Sequence, residues 1–240
     1  MTHLREQVAL KKNLESLGEM SAGLAHEFKN AIATLHGYVQ LLQSLEMNEA
    51  GRTAASSLLN EVRNLSEMVT SFLNFARPQP LQLDEVSISE LLDECALELA
   101  PIFNDRRVEL HLTGTAGVPP SDRDISIRAD ERMLRQALLN LIRNAAEAIP
   151  DEKIERRVTV ESSAERDHVG AWVVVEISDS GVGIPIADLQ RIFIPFFTTK
   201  PTGHGVGLAL AHRVITQHGG TLSATNSPDG GAVFTLRLPA

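Results

Sequence analysis

His26, Glu27 and Asn30 lie within the run Ser21-Ala22-Gly23-Leu24-Ala25-His26-Glu27-Phe28-Lys29-Asn30, and their types and spacing suit nucleophilic chemistry. On a helix His26 and Asn30 share a face one turn apart, and Glu27 lies about 100° round from His26. A water-facing imidazole beside a carboxylate is the pairing of a nucleophile and its base. A second group, Gln136, Asn140, Asn144 and Glu147, recurs at steps of four, four and three and forms one polar stripe. Asn is a poor helix former, so two of them one turn apart suggest a purpose, although a solvated face is the plain alternative. An amide oxygen is a hard ligand suited to Mg²⁺, which marks Asn144 as a metal candidate.

Two glycine loops add to these. Asp179-Ser180-Gly181-Val182-Gly183-Ile184 follows an apolar run ending at Ile177. Gly181 and Gly183 let the backbone approach a flat ligand, and the Asp179 carboxylate can accept from an exocyclic amine. Gly203-His204-Gly205-Val206-Gly207-Leu208 enters a helix whose free N–H groups and dipole would favour phosphate. Either loop alone could be an ordinary turn. Between them lies Phe193-Ile194-Pro195-Phe196-Phe197-Thr198-Thr199-Lys200-Pro201, which reads either as a lid whose Lys200 reaches phosphate or as an apolar loop on the core.

The elements that must position these groups follow from periodicity. Leu10, Leu14, Leu17, Ser21, Leu24, Phe28, Ala31, Leu35, Tyr38, Leu42 and Leu45 recur at alternating fours and threes, predicting a helix from Leu4 to Leu45 with one apolar seam. Glu46 to Gly51 should turn it. Leu58, Val62, Leu65, Val69, Phe72 and Ala76 form a second seam, and the antiparallel hairpin would bury its stripe by pairing with a second copy as a four-helix bundle. Arg77-Pro78-Gln79-Pro80 ends the second helix. The expected domains are a helical hairpin at 1–77 with an N-terminal coiled-coil extension, a linker at 78–86, and a second domain at 87–240.

In that second domain Ser87-Ile88-Ser89-Glu90 has capping-box spacing for a helix from Leu91 to Phe103. Strands are expected at Arg107–Leu112, Ser126–Arg128, Val158–Glu161, Trp172–Ile177, Thr221–Thr225 and Val233–Leu238. Helices are expected from Asp130 to Ile149, briefly near Leu189, and from Gly207 to Gln217. The sum is an α+β sandwich: one mixed sheet with helices on one side.

Composition narrows the class. A net charge of −9 argues against a general affinity for nucleic acid or anionic lipid. The sole cysteine, Cys95, falls on an apolar helical pattern and is expected as core filler in a reducing cytoplasm. No apolar run is long enough for a membrane span, and Met1-Thr2-His3-Leu4-Arg5-Glu6 lacks a signal-peptide core. P-loop and protein-kinase signatures are absent, and zinc is not expected with one cysteine. His204, His212 and His218 are expected on the solvated side of the last helix, and His36, His111 and His168 at ordinary surface positions.

Together these residues resemble the transmitter core of a bacterial sensor histidine kinase over nearly the whole chain, from Leu17 to Pro239. His26 to Asn30 resembles the phospho-acceptor box and Asn140 to Asn144 the N box. Asp179 to Gly183 resembles the first glycine box, Phe193 to Phe197 the F box, and Gly203 to Gly207 the second glycine box. The wording from Phe196 to Gly205 looks most like the nitrogen-regulation type. The resemblance implies the ATP-binding fold shared by gyrase, Hsp90 and MutL, with Asn144 on Mg²⁺ and Asp179 on the adenine amine. The nucleotide surface would be completed by Asn140, Glu147, Gly181, Gly183, Thr199, Lys200, Gly203, Gly205, Gly207 and Leu208. It also implies a homodimer that phosphorylates His26 with Glu27 as base, then transfers to an aspartate of a response regulator receiver domain. Asn30 would orient water for the reverse, phosphatase reaction. Two positions depart from the pattern: Ala31 stands where a proline commonly follows, and Ala232 where a threonine often supports adenine. An ATPase clamp of the gyrase or MutL class, or a degenerate kinase acting as a scaffold, would share the nucleotide residues without using His26.

Overall fold

A computed structural model describes residues 30–45, 47–76, 80–114, 125–168, 170–200 and 205–240. The chain falls into two compact units, Met1–Pro80 and Leu81–Ala240. In the first, helix α1 runs over residues 30–43 and helix α2 over Glu49–Ala76. The expected turn is shorter than Glu46–Gly51, because the Asn48 side-chain oxygen accepts the N–H of Gly51 at 2.9 Å and starts α2 at once. The stretch from Leu4 to Lys29, with His26 and Glu27, lies outside the described residues, as do the side chains of Phe72 and Ala76.

The hairpin closes on Val39, Leu59 and Val62, with Ile32 packed alongside. These flank the expected seam rather than belonging wholly to it. Leu35, Tyr38, Leu42 and Leu45 on α1, and Leu58 and Leu65 on α2, remain exposed, Tyr38 by 64%. One hairpin therefore uses a narrow strip internally and leaves an apolar band uncovered.

The second unit holds a five-stranded mixed sheet, order β2-β4-β5-β7-β6, and a two-stranded sheet, β1-β3. The strands are β1 (Asp84–Ser87), β2 (Glu109–Gly114), β3 (Ser126–Ala129), β4 (Arg157–Arg166), β5 (Ala171–Asp179), β6 (Thr221–Asn226) and β7 (Ala232–Pro239). The helices are α3 (Ile88–Arg106), α4 (Glu131–Glu147) and α5 (Gly207–Gln217). Among the described residues only β2 and β4 pair in parallel; the other pairs are antiparallel. Alternate residues of β4, β5 and β7, such as Val160, Ile177 and Leu236, join Leu99, Leu141 and Ile215 from the helices in one core. On the opposite face Glu161, Glu176 and Ser223 are exposed.

Several boundaries differ from expectation, each for a local reason. Residues 84–86, read as linker, form β1 together with Ser87; a four-residue strand with two acidic side chains carries almost no periodic signal. The Ser87 hydroxyl accepts from Glu90 N–H, so α3 begins at Ile88, and it runs through Pro101 to Arg106. Arg107 is not a strand residue but the left-handed cap of α3, with φ 52°. The segment near Leu189 is a series of turns, with Ile192 N–H donating to Asp188 O, rather than a helix. Cys95 is fully buried, and burial raises its thiol to about 11.

His218 and His212 do not lie on a solvated side. His218 is buried at the end of α5: Nδ1 bonds Val214 O at 2.8 Å and Nε2 accepts Asp130 N–H at 3.0 Å. His212 is half-buried against the Phe193 ring, with centroids 5.1 Å apart, and burial lowers its pKa.

Candidate nucleotide site

Helix α4 starts where the Asp130 carboxylate accepts Met133 N–H at 3.0 Å, and it buries Leu134, Ala137, Leu138, Leu141, Ile142, Ala145 and Ala146. That registration leaves Asn140, Asn144 and Glu147 on a less buried stripe. Asn140 lies beside the start of α5, where a Cβ on Gly207 would come 3.5 Å from its side-chain oxygen. Asn144 Oδ1 and Glu147 Oε2 converge on one ammonium group: Lys200 Nζ donates to them at 2.6 and 2.8 Å. Lys200, read from the sequence as a phosphate-reaching residue, is thus held on the polar stripe.

Asp179 ends β5, with Val158 opposite it on β4. Its carboxylate is buried; Oδ1 accepts from Gly181 N–H at 2.7 Å and Ala232 N–H at 3.3 Å, whereas Oδ2 has no protein partner. Burial raises the Asp179 pKa, opposed by those two N–H groups and by the charges of Lys153 and Lys200. A buried carboxylate oxygen left over in this way is costly unless a donor arrives.

The backbone around it has no room for side chains. A Cβ on Gly181 would lie 2.5 Å from Ala148 O, and one on Gly231 would lie 1.8 Å from Asp179 O. Gly183 has φ 76°, and Asn226 bonds both the N–H and the carbonyl of Ile184 at 2.7 Å, fixing the loop after it. Ala232, which has no side-chain hydroxyl, contributes its main-chain N–H to Asp179.

In the second glycine loop Gly205 has φ 66° and accepts Phe196 N–H at 2.8 Å. The N-cap of α5, Val206, makes no side-chain cap bond, and Leu208 packs partly into the core. Gly203 lies outside the described residues. Phe193 meets Phe234 edge-on with centroids 6.5 Å apart, and Phe197 lies under Arg191 at 4.4 Å, so two of the three phenylalanines serve as anchors. Phe196 and Thr199 are exposed. Asn30, at the start of the described part of α1, is exposed too and belongs to the other unit.

Sequence reasoning did not single out Lys153, Asn226 or Gly231. Lys153 Nζ donates to Gly181 O at 3.2 Å, beside the Asp179 pocket. The doubled glycine at Gly230-Gly231 is the sequence signal that could have pointed to Gly231.

The order of these features matches known families. Residues 16–81 match the His Kinase A (phospho-acceptor) domain, and residues 129–240 match the histidine kinase-, DNA gyrase B- and HSP90-like ATPase domain. The chain belongs to the histidine kinase family. Its residues 129–240 are the family's ATP-binding domain. Over 98% of its length the chain is 33% identical to the signal transduction histidine-protein kinase AtoS of Escherichia coli (strain K12), covering 37% of that protein. It is also 33% identical to the sensor histidine kinase ZraS of the same strain, covering 48% of it. The chain therefore spans half or less of the length of these relatives. Among solved structures, full-length ShkA in complex with AMPPNP gives a TM-score of 0.75 at 28% identity, over 92% of this chain and 45% of ShkA. The histidine kinase ThkA in complex with the response regulator protein TrrA gives 0.66 at 25% identity, over 100% of this chain and 66% of that one. No helix among the described residues is long and apolar enough to cross a membrane.

Proposed function

We propose that this chain is the working core of a sensor kinase that moves the γ-phosphoryl group of ATP to His26 and then to an aspartate of a response regulator receiver domain. The observation that carries the nucleotide half is Asp179 Oδ2: a buried carboxylate oxygen with no protein partner, among glycines that admit no Cβ. The exocyclic amine of adenine supplies the missing donor, and the uncapped N-terminus of α5 suits the phosphates. Asn144 and Glu147 fit a cation, since they already hold one in Lys200. We assign Mg²⁺ to Asn144, where it would neutralise phosphate charge as the bridging bond weakens.

His26 attacks as the neutral imidazole: a nitrogen–phosphorus bond forms, the bond from phosphorus to the ADP oxygen breaks, and Glu27 accepts the proton of the other ring nitrogen. Asn30, one turn along, orients water for the phosphatase reaction on the receiver. A helical hairpin domain and a second domain that begins ahead of β1 divide these tasks. The apolar band of Leu35, Tyr38, Leu42 and Leu45 supports a homodimer through the hairpins. The core is assigned to the cytoplasmic side, where ATP and the receiver are.

Incubation with γ-labelled ATP tests the reading. Label should remain on the protein, stable to alkali and labile to acid, and should vanish in His26→Gln while nucleotide affinity is kept. Phosphate release with no protein label at any time would instead indicate an ATPase clamp. Binding without label or turnover would indicate a scaffold.

A further inference from the structure

The ammonium group of Lys200 lies 2.6 Å from Asn144 Oδ1 and 2.8 Å from Glu147 Oε2. We infer that Lys200 and a divalent cation are alternative occupants of one site between these two side chains, so that Lys200 serves as the counter-cation for nucleotide phosphate when metal is lacking. The inference rests on the assignment of Asn144 to the metal and adds an internal competitor to it.

The site is a product of helical spacing. Asn144 and Glu147 are three residues apart on α4, so their oxygens project side by side from one face. A carboxylate and an amide oxygen at that separation accept a single positive centre, and an ammonium supplies point charge without demanding coordination geometry. Two of its three hydrogens are directed at Glu147 and Asn144, which leaves one for a phosphate oxygen. A magnesium ion bonds oxygen at about 2.0–2.1 Å, so a metal on Asn144 Oδ1 would stand no more than about 4.7 Å from the ammonium nitrogen that lies 2.6 Å from the same atom. Repulsion between like charges at that range disfavours joint occupancy. Lys200 is free to leave: its side chain is 32% exposed, and it follows the exposed Thr198 and Thr199.

The measurement is calorimetric binding of the β,γ-imido analogue of ATP to the full chain, in chelator and in saturating magnesium, for wild type and Lys200→Met. Wild type should bind in both conditions, more tightly with metal. Lys200→Met should lose on the order of tenfold in chelator, the size of one charge-assisted hydrogen bond, and about threefold or less in magnesium. Manganese titrated into the nucleotide-bound protein and followed by electron paramagnetic resonance should bind severalfold more tightly in the variant, its competitor having been removed. A thermal melt of the variant that matches wild type guards against misfolding. Equal losses with and without metal, or no loss in either, would overturn the exchange while leaving Asn144 as a metal residue. Wild-type binding that ignores magnesium and an Asn144→Asp change alike would remove the metal assignment, and the exchange with it.

Discussion

His218 Nε2 accepts the main-chain N–H of Asp130 at 3.0 Å, joining the end of α5 to the residue that caps α4. With Nε2 accepting, the other ring nitrogen, Nδ1, is the one that donates to Val214 O. Asp130 in turn accepts Gln82 N–H at 3.1 Å through Oδ2. His218→Ala should therefore leave a buried N–H without an acceptor and destabilise the second unit by about 1–3 kcal/mol. Trp172 is the sole tryptophan and lies in that unit, so urea unfolding followed by its fluorescence isolates the effect. His218→Gln, which retains an acceptor, should recover part of the loss; equal loss in both variants would mean that the hydrogen bond contributes nothing.

Asp179 sets a pH dependence whose sign follows from its burial. Its folded pKa is raised above the ordinary 3.8, so the folded unit holds this proton more tightly than the unfolded chain. The destabilisation from burying the charge is full above the folded pKa and is relieved as pH falls through it. Nucleotide binding runs the other way, because the ionised carboxylate is the better acceptor for an amine. Affinity for the imido analogue should fall as pH drops through that raised pKa. Asp179→Asn should be about 10- to 100-fold weaker near neutrality and nearly flat over the same window. Parallel profiles for the two proteins would assign the titration elsewhere.

Gly231 and Gly230 form a matched pair. Both have positive φ, 87° and 94°, but a Cβ on Gly231 would lie 1.8 Å from Asp179 O whereas one on Gly230 meets nothing nearer than Lys153 Nζ at 4.0 Å. Gly230→Ala should cost about 1–2 kcal/mol from backbone strain alone. Gly231→Ala should cost more than that and also weaken nucleotide binding, since the Asp179 backbone must move. Thermal melts and calorimetry on both variants separate strain from steric displacement; equal behaviour would refute the contrast.

The uncovered band on the hairpin predicts a change of assembly. Leu42→Lys places a charge among Leu35, Tyr38 and Leu45 without touching the internal contact of Val39, Leu59 and Val62. Light scattering after size exclusion should show a shift from dimer to monomer, with nucleotide affinity unchanged. Val39→Lys should unfold the hairpin itself, so a dimer surviving Leu42→Lys would place the interface elsewhere.

Elements governed by local chemistry were readable from sequence. Asp130 and Ser87 announce helix starts through their caps, and α5 has the expected bounds Gly207–Gln217. What escaped is long-range. The Asp130–His218 bond spans 88 positions, Lys200–Asn144 spans 56 and Ala232–Asp179 spans 53. No periodicity encodes such pairings, which is why His218 read as a solvated residue and the Lys200 contacts with Asn144 and Glu147 went unread. The apolar seams were legible as patterns, but which strip closes the hairpin and which stays open depends on how two helices rotate against each other.

Among the described residues, the main sheet is bounded by β2 and β6. Both are six residues long, and their outward positions carry Glu109, His111, Thr221, Ser223 and Thr225. Short, hydrophilic rims resist edge-to-edge pairing of one sheet with the next, so a concentrated stock should not seed fibrous aggregates from this half of the molecule.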